Sequence, residues 1–277
     1  MKKLLLLLLC VPLIGLGQQT YVPDSAFEAY LEANGMGNGI FNDDSVLTAN
    51  INSVTSLNVN GQNISDLTGI EDFTALTYLY CDDNQLTSLD VSANTALESL
   101  LCYNNQLTSL DVSANTALTT FHCYNNQLNS LNLSGASNLG WVVCRNNQLT
   151  SLDGSTNTAL FRLDVSNNQL IALDIRNGNN TNIPSAFWNG FISTGNNNLT
   201  CINVDNDAWS TANWTNIDPH HYFSNNCPPP TSIVEYTYNR ELLKVTDILG
   251  REVNEKRNTP LFYIYNDGTV EKKIIIE

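Results

Sequence analysis

At 277 residues the chain has room for one or two domains. Its 27 Asp and Glu against 12 Lys and Arg leave a formal charge of −15. That balance argues against nucleic acid and anionic membrane as partners, since both are negative, and favours basic partners, cations or plain solubility.

The first element in chain order is a targeting segment. Lys2 and Lys3 precede the apolar run Leu4 to Leu16, and the small residues Gly15 and Gly17 place a cut after Gly17. The run is too short to cross a bilayer comfortably and reads as a secretory signal over 1–17, with Cys10 inside it. No later stretch is long and apolar enough for an integral membrane span, so none is expected in the mature chain.

Residues 18–53 read as an N-terminal cap. Asp24 or Ser25 can cap a helix over 24–34, Phe27, Tyr30 and Leu31 have helical spacing, and Gly35 can stop it.

Residues 54–204 repeat. Similar units of 21 residues begin at Leu76, Leu97, Leu118, Leu139 and Leu160; a looser copy begins at Val54, and a degenerate one ends near Val204, giving about seven turns. Each unit fits L-x-x-L-x-L-x-x-N-x-L, filled in the first by Leu76, Leu79, Cys81, Asn84 and Leu86. A short strand sends alternate side chains to opposite faces, and one turn cannot bury its apolar face alone. The pattern therefore predicts a mainly β leucine-rich-repeat solenoid with a parallel sheet on its concave face. Asn84, Asn105, Asn126, Asn147, Asn168 and Asn197 are expected to form an inner ladder bonding the backbone at each bend. The second half of each unit has room for turns, 3₁₀ pieces or a second short strand. There Asp90, Asp111, Asp153 and Asp174, with Asn132 in the third turn, stack like charges. Such a row can attract a cation such as calcium, but EF-hand spacing is absent and bonds to its own turns are the preferred reading.

On the concave face the outward slots bring Tyr78, Tyr80, Tyr103, His122, Tyr124, Trp141, Arg145 and Arg162 together as candidate ligand-binding residues. Tyr, Trp and Arg are favoured at binding hot spots, and sugars or peptides can stack on such rings. The bland alternative is that these residues merely stabilise the sheet by cross-strand pairing.

Residues 205–230 read as a C-terminal cap and Pro-rich linker, closed by Cys227-Pro228-Pro229-Pro230. Cys81, Cys102, Cys123 and Cys144 fill one slot of successive turns. Neighbouring strands hold Cβ atoms about 4.8 Å apart where a disulfide wants about 3.8 Å, so they are expected as buried free thiols. Cys201 and Cys227 lie outside that ladder and are expected to pair. His220-His221 reads as surface polarity rather than a metal site. No HExxH, GxSxG or P-loop pattern is present, and Asp82-Asp83 cannot face one cavity. Neither an enzyme nor a resident metal or cofactor is expected.

These motifs resemble the secreted leucine-rich-repeat proteins of the Bacteroidota, whose repeats carry cysteine in the third strand slot. The resemblance spans about 21–227 and includes YVPDSAFEAYLEANG, SDLTGIEDFTALTYL and TANWTNIDPHHYFSNNC.

Residues 231–277 change character. Seven Lys and Arg appear against eight acids, whereas 18–230 hold 19 acids, no lysine, and Arg145, Arg162 and Arg176. ELLKVTDILGREV reads as strand, turn, strand, and PLFYIYNDGTVEKKIIIE as a hairpin, giving a small β-sandwich-like module. Lys244, Gly250, Arg251, Asp267, Gly268, Lys272 and Lys273 resemble the type A C-terminal sorting signal of the type IX secretion system. That resemblance implies contact with its machinery, outer-membrane export, tail removal, and release or attachment at the cell surface. The reading reached is a secreted or surface binding protein for an unidentified protein or glycan, with a structural spacer as alternative.

Overall fold

The computed structural model describes residues 17–184, 190–229, 242–247, 251–253, 260–265 and 270–274. Residues 1–16, which hold most of the expected signal, lie outside that range. Two compact units divide between Pro228 and Pro229.

The first unit is a parallel-sheet solenoid of about eight turns. Its main sheet has seven parallel strands, from Ser56–Asn58 through Tyr78–Tyr80, Ser99–Leu101, Thr120–His122, Trp141–Val143 and Arg162–Asp164 to Phe191–Ile192. The register puts Leu57, Leu79, Leu100, Phe121, Val142, Leu163 and Phe191 in one row, each at most 2% exposed. Stacking gives each turn the burial it cannot achieve alone. The thiols of Cys81, Cys102, Cys123 and Cys144 form the next inward row, all buried and free. Burial pushes the thiols' pKa values up, so they serve as small apolar fillers.

Three asparagine ladders hold the turns in step. Asn126 shows the inner one: its Oδ1 accepts from Leu107 N–H at 2.9 Å, and its Nδ2 donates to the Cys102 and Cys123 carbonyls at 3.0 and 3.1 Å. Asn196, rather than the expected Asn197, takes this slot in the last turn, accepting from Leu170 N–H. Leu199 follows Asn196 by three positions where Leu170 follows Asn168 by two, so counting back from the leucine lands on Asn197, which lies exposed. A second ladder was not expected: Asn94, Asn115 and Asn157 are fully buried and donate to carbonyls of the preceding turn. A third runs along the surface. Gly61, Asp83, Asn104, Asn125, Asn146, Asn167 and Gly195 all have left-handed φ between 53° and 76°, which Gly, Asn and Asp accept most readily. Along it each Asn amide donates to the residue one turn back, as in Asn125 Nδ2 to Asn104 Oδ1 at 2.6 Å.

The second half of the units forms short strands, in the pairs Ser109–Asp111 with Ser130–Asn132 and the set Ser151–Asp153, Ala172–Asp174, Cys201–Asn203 and Tyr222–Ser224.

Both ends are closed. Helix Ser25–Ala33 is capped by Asp24, whose Oδ1 accepts from Ala26 and Phe27 N–H at 3.0 Å while Oδ2 accepts from Ser65 N–H at 2.8 Å. One carboxylate thus starts the helix and ties it to the first turn. An antiparallel pair, Gln19–Tyr21 with Ser45–Leu47, adds to this cap. At the other end helix Asp207–Asn213 leads to Trp214, which packs 4.6 Å from Phe191 and 5.6 Å from Phe223 between ring centroids. Cys201 and Cys227 are disulfide-bonded across 26 residues, a link worth about 3 kcal/mol in the loop-entropy picture.

In the second unit Leu242–Thr246, Pro260–Tyr265 and Val270–Ile274 make a three-stranded antiparallel sheet. Three of the four expected strands are present; the second strand of ELLKVTDILGREV is reduced to a bridge between Thr246 and Glu252, and among the described residues the strands form one sheet and not two layers. Lys244 and Lys272 are exposed on it, and Arg251 pairs with Asp247 at 2.7 Å. Gly250, Asp267 and Gly268 lie outside the described residues, as does the side chain of Lys273.

Candidate functional site

The outward side chains of the main sheet fall into three rows fixed by the register. The first holds Tyr78, Ser99, Thr120, Trp141 and Arg162; the second Tyr80, Leu101, His122, Val143 and Asp164. The third, just beyond the strands, holds Asp82, Tyr103, Tyr124, Arg145 and Ser166. All eight residues predicted for this site lie on this face. Tyr78 is 39% exposed, and the other seven are half-buried. Five outward slots are buried: Asp82, Ser99, Val143, Asp164 and Ser166. These are short side chains beside taller ladder neighbours.

The tall residues form two stacks. Tyr103 and Tyr124 lie parallel with centroids 4.4 Å apart and an interplanar angle of 5°, and the Arg145 guanidinium lies 4.5 Å over the Tyr124 ring. Beside them His122 meets Trp141 edge-on at 4.7 Å, and Arg162 lies 4.5 Å over the Trp141 ring. Each cation sits where the ring quadrupole attracts it. Ring faces that the sequence left open for sugar stacking are therefore largely taken by neighbours, so edges, hydroxyls and guanidinium ends meet solvent.

Carboxylates brace the stacks. Asp82 accepts from the Asn60 amide, and its charge at the Tyr103 hydroxyl pushes the phenol's pKa up. Asp164 Oδ2 lies 3.6 Å from Arg145, and its Oδ1 accepts from Ser166 N–H at 3.0 Å and Oγ at 2.6 Å. Glu98 accepts from Tyr78 at 3.1 Å. None of the three is among the eight predicted ligand-binding residues: the slot periodicity does put Asp82 and Asp164 on this face, while Glu98 precedes its strand.

Burial, then the charges of Arg162 and Arg145, lower the pKa of His122 to about 4. Neutral imidazole is thus preferred in the fold. Its contribution to stability is full above the ordinary pKa of 6.5 and is lost as pH falls from there to about 4. Discounted for partial solvent access, the loss is about 1–2 kcal/mol. Imidazole NMR shifts are expected to show His122 still neutral at pH 5; a midpoint at 6 or above would contradict this.

Two other clusters are structural. The Asp ladder bonds its own turns: Asp90, Asp111, Asn132, Asp153 and Asp174 each accept from the N–H two residues on, at 2.8–3.1 Å. These bonds with Ser92 and Ser113 hold Asp90 and Asp111 below the usual carboxylate range. At the C-terminal cap, Ser193 Oγ lies 3.3 Å from His221 Nδ1, and His221 Nε2 lies 3.5 Å from Asp218. The order imitates a hydrolase triad, yet Ser193 is 0% and His221 7% exposed. His221 is a buried bridge rather than the surface residue expected. It also contacts the Asn196 carbonyl, while Asp218 accepts from Gly195 and Asn196 N–H. His220 lies near enough for the three to surround a cation, but Asp218 and His221 already spend their atoms on the last turn.

No family model matches the chain. It is similar to Internalin J of Listeria monocytogenes serotype 4b (strain F2365), with 42% identity over 52 residues, or 19% of this chain and 6% of that protein. Among solved structures it resembles the functional domain of InlJ from Listeria monocytogenes, which includes a cysteine ladder. There the identity is 32% and the TM-score 0.50, covering 68% of this chain and 38% of that one. An internalin (inlF) from strain 4b F2365 gives a TM-score of 0.52 at 22% identity, over 73% of this chain and 56% of that one, a likeness of fold alone. The chain spans less than two thirds of each of these relatives. With the repeat pattern and solenoid above, these likenesses give the chain a leucine-rich-repeat fold similar to that of the internalins. No helix among the described residues is long and apolar enough to cross a membrane.

Proposed function

We propose that the chain is a secreted or surface-attached binding protein that recognises a protein or glycan through the outer face of its main sheet. One observation carries the reading: two adjacent stacks of aromatic and guanidinium groups stand outside the apolar core on consecutive turns. Burial of the inward rows does not require Tyr, Trp and Arg there, and these are the residues that anchor interfaces. The internalin-like fold supports binding over catalysis. Export by the N-terminal signal and the type IX machinery is part of the proposal and rests on the resemblance of 1–17 and 231–277.

A spacer without ligand is the second reading, favoured by the way the rings satisfy one another. The two are separated by probing extracellular-protein and glycan arrays with the full mature chain and with its Tyr124→Ala/Trp141→Ala variant. Binding by the parent that the folded variant loses is expected. Identical profiles for the two would leave the spacer.

A further inference from the structure

We propose that Arg145 and Arg162 form a carboxylate-anchoring subsite for an acidic segment of a protein partner. The inference rests on reading this face as a binding surface and adds the chemistry it selects.

The charge distribution is the first argument. Residues 18–230 contain 19 acids and three arginines. Arg176 serves its own neighbour, bonding Asp174 on the second row of strands. The other two stand on adjacent turns of the main-sheet face. Asp164 is, among the described residues, the one carboxylate within ion-pair distance there; it pairs with Arg145 and turns its other oxygen to Ser166. Among the described residues no hydrogen bond or ion pair engages the side chain of Arg162, whose guanidinium rests on Trp141. Two cations against one anion leave the patch positive within a chain of charge −15.

Hydrogen bonding points the same way. Trp141 Nε1 and Arg162 Nε are buried donors without an acceptor. Buried groups left unmade are costly, and His122 Nε2 beside them is likewise buried without a partner, so the patch holds hydrogen-bonding capacity that its own groups do not use. Two like charges side by side add to the local cost. An incoming carboxylate supplies countercharge and acceptors to the half-exposed guanidinium ends, and a planar guanidinium suits it. At the other end of the face Asp82, Asp83 and Glu98 repel acids, which fixes where along the sheet an acidic group can land.

The stacking decides between a peptide and an acidic sugar. Tyr124 is covered by Tyr103 on one side and Arg145 at 4.5 Å, and Trp141 carries Arg162 at 4.5 Å. At this end a pyranose finds little free ring face, whereas a flexible Asp or Glu side chain needs none.

The test is to pan a random dodecamer peptide-display library on the full mature chain, on Arg145→Gln/Arg162→Gln, and on Arg176→Gln as a control for lost charge. Asp and Glu should be enriched on the parent and on the control, and not on the double variant. A selected acidic peptide should bind the double variant at least tenfold more weakly, with the Gln version of the peptide behaving likewise on the parent. Enrichment without acids, no enrichment, or an equal loss in Arg176→Gln would overturn the proposal. Hyaluronate binding tighter than the selected peptide, or self-association that the double variant abolishes, would overturn it in favour of an acidic glycan or a second copy. If Tyr124→Ala/Trp141→Ala loses partner binding while the arginine variant keeps it, this inference fails and the binding surface stands.

Discussion

Asn126→Ala is expected to destabilise the solenoid by about 2–4 kcal/mol. The amide serves Leu107 N–H and the carbonyls of Cys102 and Cys123, all buried. Alanine leaves the Leu107 N–H without a partner where water cannot reach, at about 1–3 kcal/mol, and takes one of two bonds from each carbonyl, since Cys102 keeps Asn105 and Cys123 keeps Asn147. Because each turn contacts its neighbours alone, damage in a central turn also uncouples the two halves. Urea unfolding followed by circular dichroism measures the loss. Asn125→Gly, one residue earlier, is the contrast: its φ of 55° suits glycine, and its amide bonds run along the surface. It should cost a few tenths of a kcal/mol. A cost below about 1 kcal/mol for Asn126→Ala would mean that the ladder is not what fixes the turns.

Tyr124→Ala/Trp141→Ala is expected to weaken partner binding about a hundredfold or more. Each residue is the middle of a stack, and each supports an arginine. Removing both deletes two anchors and frees two guanidiniums from their positions, so preorganisation is lost along with contact area. Both rings are half-buried, so the fold should lose less than it does in Asn126→Ala. Surface plasmon resonance with the partner found on the array, alongside thermal melts, separates the two effects. A loss of binding matched by loss of folded protein would point to the sheet's stability instead.

Much of this was legible from a 21-residue period. Once Leu76, Cys81 and Asn84 recur, the register of strands, thiols and inner amides follows, because only in-register stacking buries every turn. The N-terminal helix was readable from Asp24 and Gly35 for local reasons. What escaped was mostly long-range. Asn196 displaced Asn197 because the chain carries one extra residue between this asparagine and Leu199, and spacing alone does not say which side of the amide it falls on. The amides of Asn94 and Asn115 looked like turn residues, since nothing local says that the preceding turn's carbonyls lie beneath them. Asn104 and Asn125 carried a usable signal, a residue type suited to left-handed backbone at a fixed position. His221 looked polar and exposed; it is buried because Ser193 ends the thiol row beside it. At the site the periodicity put the right residues on one face, yet it could not say that Tyr103, Tyr124 and Arg145 would lie on one another. That depends on side-chain rotation, which a pattern of slots does not contain.

Recognition on the main-sheet face is open to direct measurement. Hydroxyl-radical footprinting of the full chain, free and partner-bound, reads that face directly through side-chain oxidation. Protection confined to Tyr78, Tyr80, Tyr103, Tyr124 and Trp141 is the predicted result. Unchanged oxidation there, with protection instead at the exposed Phe161 and Ile171, would contradict it.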